Sequence, residues 1–131
     1  MTGNHDRALR LPASLALWAA GVVAGAAGCG GQQDTRPATW SYISTAIVQP
    51  GCATANCHSL IAQRSGVRLD QVSTGWDSLV TRNFVVPGDP AASSLMSLLR
   101  AQGTRRMPPD YPLAGDDIDL ISRWIQAGAA K

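Results

Sequence analysis

Histidine, lysine and aromatic residues are scarce in this 131-residue sequence, and each scarcity excludes a class of protein or of site. The chain has two histidines, His5 and His58, and a single lysine, Lys131. With so few imidazoles there is no Ser–His–Asp constellation, so the sequence gives no case for a hydrolase. Aromatic residues make up only 5% of the chain, which leaves a small domain short of side chains for its core.

The chain also has few charged residues of either sign. The whole chain carries 11 basic and 9 acidic side chains, for a formal charge of +2. Without Arg7, Arg10 and Asp6, which lie in the leader described next, 9 basic and 8 acidic side chains remain, or +1. A nearly neutral chain indicates neither nucleic-acid binding nor a polybasic membrane patch. No small-molecule substrate is expected either.

The N-terminus has the pattern of an export signal. Residues 1–10 are polar and include two arginines, and an apolar run then extends from Leu11 to Ala27. A basic start, an apolar middle and small residues at the end are typical of a secretory signal. The run is also about long enough to span a bilayer, so an uncleaved anchor is the alternative.

The run ends in Ala26-Ala27-Gly28-Cys29, which resembles a bacterial lipobox. That resemblance implies that residues 1–28 are removed and that Cys29 becomes the lipid-carrying first residue. Gly30 in the next position favours the outer membrane, facing the periplasm, by resemblance to Gram-negative sorting rules. Residues 29–39, rich in Gly and Gln, are then expected to form a flexible tether, and residues 40–131 the folded domain.

Two cysteines and a histidine lie within seven residues, as Cys52, Cys57 and His58. Attachment sites of c-type haem have the pattern C-x-x-C-H, and here four residues separate the cysteines instead of two. Each thiol can add to one haem vinyl group, and the adjacent imidazole can reach the iron. A disulfide between Cys52 and Cys57 is the first alternative, which export would permit. A zinc site is the second, although the mature chain lacks further Cys or His ligands.

A haem iron bound by His58 would have one axial position left. His58 is the only histidine after residue 28, and Lys131 lies at the very end of the chain. Met107 precedes two prolines, so it is expected in a stiff, extended loop that can hold its thioether in place. Met96 lies within a leucine-rich helix and is interpreted as core filling, and an open site remains a further alternative. The neighbouring Arg105 and Arg106 are interpreted as a solvated loop pair, with a docking patch as the alternative.

Apolar periodicity predicts helices and no convincing strand. Pro50-Gly51 should end the first helix before the attachment motif, and Trp40 and Trp124 are expected in the core. Pro87-Gly88 has the order of a type II turn, followed by Asp89 as an N-cap and Pro90 in the first helical turn. Phe84–Val86 is expected as extended chain against an apolar surface. The predicted helices cover residues 40–49, 76–82, 90–102 and 116–127.

The sequence resembles the class I cytochrome c family, and in particular the small domains of planctomycete and myxobacterial type. The resemblance rests on the Cys52/Cys57/His58 motif after a helix, on Val86-Pro-Gly-Asp-Pro, on Met107-Pro-Pro and on Trp124-Ile-Gln-Ala-Gly128. It covers roughly residues 40–128. It implies an all-α cytochrome c-like fold, with three to four helices around one covalent haem c.

The resemblance also implies His58/Met107 ligation and electron transfer to redox partner proteins, so no enzymatic activity is expected. The alternatives are a haem-based catalytic or sensor domain and a non-haem adaptor closed by a Cys52–Cys57 disulfide. Trp76, Arg64, Arg68 and Arg82 are the candidates for contacts with the haem carboxylates.

Overall fold

The computed structural model describes residues 34–131, and this part of the chain is helical with no β-strand. The all-α class is therefore confirmed. The predicted signal of residues 1–28, Cys29 and the first residues of the tether lie outside the described residues. The helices are α1 (Trp40–Ile43), α2 (Gln49–Cys52), α3 (Val72–Val80), α4 (Ser94–Arg100) and α5 (Gly115–Gln126), with single 3₁₀ turns at Arg64–Gly66 and Gly103–Arg105. None of these helices is long and apolar enough to cross a membrane.

The first helical segment continues past the proline that was expected to end it. A π-helical turn, Ser44–Val48, joins α1 to α2, so that the helix reaches Cys52 itself. Pro50 has no N–H and cannot donate to a carbonyl one α-helical turn back. The wider π turn lies immediately before it, as a short interruption of the kind that occurs inside α-helices. The attachment motif therefore begins on the last residue of a helix, and the prediction of an end at Gln49 is wrong.

Helix α3 begins four residues earlier than predicted, at Val72 instead of Trp76. The predicted helix began directly after Gly75, but this glycine lies inside the helix and is buried. A Cβ atom on Gly75 would lie 3.0 Å from Cζ2 of Trp40, so the glycine permits close packing of α3 on the indole. The indole Nε1 of Trp40 also donates to the carbonyl of Val72, at 2.6 Å.

The turn before α4 has the predicted type II geometry. Gly88 has φ +82°, and the N–H of Asp89 donates to the carbonyl of Val86 at 3.0 Å. The Oδ1 atom of Asp89 also accepts from the N–H of Ala92, at 2.9 Å, but it caps only a single turn. Ser93 is fully buried and extended, and its Oγ accepts from the N–H of Val86 at 2.9 Å.

The extended Ser93 separates that turn from the helix, so α4 begins at Ser94 and the predicted start at Pro90 is wrong. The predicted end at Gln102 is also too late, because Ala101 already has extended backbone and the helix ends at Arg100.

Helix α5 lies within one residue of its predicted bounds and packs on the first helix through tryptophan. The rings of Trp40 and Trp124 stack with their centroids 5.0 Å apart and their planes at 30°. Both side chains are 2% exposed, which confirms them as core residues. The Trp124 indole also donates to the carbonyl of Ala130, at 2.9 Å, so the end of the chain is held against the same helix.

We expect Trp124→Ala to lower the free energy of unfolding by about 3–5 kcal/mol, because a large buried side chain leaves a cavity when it is truncated. Urea denaturation followed by far-UV circular dichroism would measure the change. Tyr111→Ala is the matched control, because the Tyr111 side chain is 56% exposed. Equal losses for the two variants would contradict the central place of the tryptophan pair.

The described part of the predicted tether makes contacts with the domain. Arg36 pairs with Asp34 at 2.9 Å and with Asp117 in the first turn of α5. Asp34 in turn accepts from Arg123, also at 2.9 Å. The two arginines hold the pKa of Asp34 well below its ordinary value, with the Arg36 hydrogen bond as the main cause. These ion pairs attach Asp34 and Arg36 of the predicted tether to α5.

The lowered pKa of Asp34 makes its contribution to stability dependent on pH. A carboxylate whose pKa falls on folding stabilises the native state above its unfolded pKa, and this effect is lost as the pH falls below it. We therefore expect Asp34→Asn to lower the melting temperature at pH 7, with a difference that shrinks below about pH 4. Thermal unfolding from pH 7 to pH 3 would measure it. Asp110→Asn is the control, since Asp110 makes no ion pair among the described residues, and a pH-independent difference for Asp34→Asn would contradict this account.

Candidate functional site

A cleft of about 720 Å³ opens between the attachment motif, the chain around α4 and the segment from Met107 to Asp110. All four residues that the sequence predicted as a site line this cleft. They are Cys52, Cys57, His58 and Met107. The fold therefore brings Met107 to the same cavity as a motif that lies about fifty residues earlier in the chain.

The long gap between the cysteines is closed by backbone hydrogen bonds. The N–H of His58 donates to the carbonyl of Cys52 at 3.1 Å, and the N–H of Cys57 donates to the carbonyl of Thr54 at 3.0 Å. Of the four residues between the cysteines, Ala53 is partly buried against the core and Thr54 to Asn56 are exposed, with Asn56 also at the edge of the cleft. The extra residues thus form a compact external turn, and both cysteines still line the cleft.

The imidazole of His58 is oriented by a carbonyl that the sequence could not identify. Its Nδ1 lies 3.3 Å from the carbonyl oxygen of Val67. A carbonyl can only accept, so Nδ1 is the donor in this contact, and in a neutral imidazole Nε2 is then the acceptor. That is the tautomer in which a histidine can bind a metal through Nε2 while a backbone carbonyl fixes its ring. The backbone of His58 is fixed as well, because its carbonyl accepts from the N–H of Leu69 at 2.7 Å.

Arg64 holds the loop between Cys52 and His58 in place through two hydrogen bonds. Its backbone N–H donates to the carbonyl of Cys57 at 3.0 Å, and its Nε donates to the carbonyl of Asn56 at 2.6 Å. The sequence analysis considered Arg64 only as a possible contact for haem carboxylates. Of the four candidates for that role it is the one that lines the cleft. Arg68 pairs with Asp70, Arg82 donates to the carbonyl of Gly66, and the Trp76 indole donates to the carbonyl of Ala129.

Both cysteines are free thiols in this structure. Burial, with a smaller contribution from Cys57, raises the pKa of the Cys52 thiol to about 11. Cys52 is therefore protonated at neutral pH and is a poor nucleophile in solution. Among residues 34–131 no group of three or more His, Cys, Asp or Glu side chains is placed to hold a metal ion.

The two methionines have different surroundings. Met107 is 37% exposed, lines the cleft, and its N–H donates to the carbonyl of Leu98 at 3.0 Å. The Met107–Pro108 peptide bond is cis. Met96 is 2% exposed and belongs to the packed core, not to the cleft lining, which confirms its interpretation as core filling.

The sequence interpretation of Arg105 and Arg106 as one solvated pair is wrong for Arg106. Its guanidinium is partly buried against the methionine loop, with Nε 3.2 Å from the carbonyl oxygen of Pro108 and Nη2 3.0 Å from that of Pro109. Arg105 is exposed and makes no side-chain hydrogen bond to any residue from 34 to 131.

The residues that line the cleft fit a haem. Its volume is in the usual range for cofactor pockets, about 300–1,000 Å³. Two thiols, an imidazole with Nε2 available and a thioether are the groups that hold a c-type haem and its iron. The rest of the lining is largely apolar, as the faces of a porphyrin require. These apolar residues include Val67, Leu69, Leu79, Phe84, Leu98 and Leu99.

An all-α domain with this thiol, imidazole and thioether set around an apolar cleft has the features of a small c-type cytochrome. Comparison with known families agrees, because residues 55–111 match the family model described as Planctomycete cytochrome C. This match supports a small cytochrome c-type domain of planctomycete type, in agreement with the sequence resemblance. The matched range includes Cys57, His58 and Met107 and begins after Cys52. No curated protein and no solved structure matches the chain.

Proposed function

We propose that this protein is an electron carrier in which Cys52 and Cys57 bind one haem c covalently and His58 and Met107 are the axial ligands of its iron. Cytochrome c domains are typically electron carriers and not enzymes, which supports the general class. The observation that carries the specific proposal is the shared cleft, which Cys52, Cys57, His58 and Met107 line together.

The haem supplies a one-electron Fe(III)/Fe(II) couple, and the protein residues determine how that couple behaves. The imidazole of His58 is held in one orientation by Val67, so it is prepared to bind through Nε2. A thioether is a soft ligand that favours the ferrous state, so Met/His ligation raises the reduction potential. If His58 and Met107 both bound the iron, no position would be left for a substrate. This would disfavour substrate chemistry at the iron and favour electron exchange with a docked partner protein.

Met107→Ala tests the ligand assignment. The full chain, exported in a host with a c-type maturation system, should gain the mass of one haem and show sharp bands when reduced. We expect Met107→Ala to keep the covalent haem, to lose the ferric charge-transfer band of thioether ligation, and to bind carbon monoxide rapidly when ferrous, because one axial position is then open. Visible spectroscopy and carbon monoxide mixing would measure both changes.

Met96→Leu is the matched control, because Met96 is buried in the core and does not line the cleft. It should leave the spectrum and the carbon monoxide kinetics as they are in the unaltered protein. Rapid carbon monoxide binding to the unaltered protein would favour the catalytic or sensor alternative. A colourless protein from a host that matures other cytochromes would favour the disulfide-closed adaptor.

We further propose that the carrier is exported and tethered by a lipid on Cys29 to a bacterial membrane, the outer membrane in Gram-negative cells. The proposal rests on the basic, apolar and small-residue order of residues 1–28 and on the cysteine that follows. A lipid anchor would keep the haem domain near membrane-bound partners while the domain itself stays outside the bilayer.

Growth with a labelled fatty acid tests the anchor. We expect label in the unaltered full-length protein and none in Cys29→Ser, because the acyl chains have lost their acceptor. Cys52→Ser is the matched control and should retain the label. Labelling of Cys29→Ser equal to that of the unaltered protein would show that Cys29 is not the acceptor.

A further inference from the structure

The loop that carries Met107 has few means of holding its own backbone in place. Within residues 107–109, Met107 has the only backbone N–H, because Pro108 and Pro109 have none. That N–H donates to the carbonyl of Leu98, which attaches the loop at one point to the end of α4. Any further attachment of this backbone through hydrogen bonds has to come from donors that reach the carbonyls of Met107, Pro108 or Pro109.

Arg106 supplies those donors. Its Nε lies 3.2 Å from the carbonyl oxygen of Pro108, and its Nη2 lies 3.0 Å from that of Pro109. Among the loop and turn hydrogen bonds of residues 34–131, no backbone N–H donates to either proline carbonyl. The Arg106 guanidinium is therefore their partner. The side chain starts on one side of Met107 and binds the chain on the other side, which closes a bracket around the methionine.

We propose that Arg106 is a positioning residue that holds the Met107 thioether in the cleft and so controls how readily it leaves the iron. This inference rests on the proposed ligation by Met107. Donors of a guanidinium are charged and are held in a rigid fork, so two simultaneous bonds restrict the loop more than two flexible neutral donors would. Arg106 does not itself line the cleft. It contacts Pro108 and Pro109, which do, so its effect on Met107 passes through the loop.

In this proposal Met107 exchanges between a state bound to the iron and a released state. An external ligand such as imidazole can take the axial position only in the fraction of molecules where the methionine has left. Its apparent affinity is therefore reduced in proportion to that fraction. A substitution that weakens the bracket raises the released fraction and tightens imidazole binding by the same factor. Imidazole affinity thus reports on the loop directly, with a readout that does not depend on electron-transfer activity.

The experiment is an imidazole titration of the full-length, haem-loaded ferric protein, followed by its visible spectrum. We expect Arg106→Gln to lower the apparent dissociation constant about tenfold, as the loss of charged hydrogen bonds implies. Arg106→Lys keeps the charge without the fork and should fall between Arg106→Gln and the unaltered protein. Arg105→Gln is the matched control: it removes the neighbouring exposed arginine and should leave the dissociation constant unchanged.

A general loss of stability must be separated from an effect on the loop. Trp124→Phe serves this purpose, because it weakens the packing of α5 at a site that does not line the cleft. It should lower the melting temperature and leave imidazole binding as it is in the unaltered protein. Should Arg106→Gln fail to fold, the comparison of Arg106→Lys with Arg105→Gln still decides.

Equal imidazole affinity for the Arg106 variants and the unaltered protein, with the thioether charge-transfer band present, would overturn the positioning role and leave the ligand assignment intact. Absence of that band in the unaltered protein, together with unchanged imidazole binding in Met107→Ala, would instead overturn the ligation itself and the positioning role with it.

Discussion

The stacked rings of Trp40 and Trp124 join the two ends of the domain, and the rest of the structure is arranged around this contact. Trp40 opens the first helix, and α5 carries Trp124. The same Trp40 indole holds the start of α3 through Val72 and packs closely against Gly75, where a Cβ atom would lie 3.0 Å from the ring. One pair of side chains therefore sets the positions of three helical elements, and the first of these delivers the chain to Cys52.

Such an arrangement leaves a cleft that the polypeptide alone does not fill. A folded unit of about a hundred residues has little apolar surface to bury, and a cavity of about 720 Å³ is large for it. Small domains often depend on a metal or a covalent cross-link for the remaining stability. The proposed haem would complete the core by occupying this cleft against Leu79, Phe84 and Leu99, so in our proposal the cofactor is structural as well as functional.

The sequence predicted what depends on local pattern, and missed what depends on contacts between distant residues. The bounds of α5 followed from its apolar spacing and from the glycine after it, and the Pro87-Gly88 turn followed from residue type. The start of α3 could not be predicted in this way, because a glycine such as Gly75 indicates a helix boundary. Its close packing against Trp40 is visible only in the structure. The start of α4 was misplaced for a similar reason, since Ser93 is extended where its hydroxyl binds Val86.

The site shows the same division. Cys52, Cys57, His58 and Met107 could be proposed from residue chemistry, because thiols, imidazoles and thioethers are rare enough to stand out. The groups that hold them are mostly backbone carbonyls, of Val67 for His58 and of Leu98 for Met107, and any residue has a carbonyl. The attachment loop is fixed at several points, while the methionine loop is fixed by one backbone bond and by Arg106. Of the two proposed axial ligands, Met107 is therefore the one whose release the protein can adjust by a single side chain.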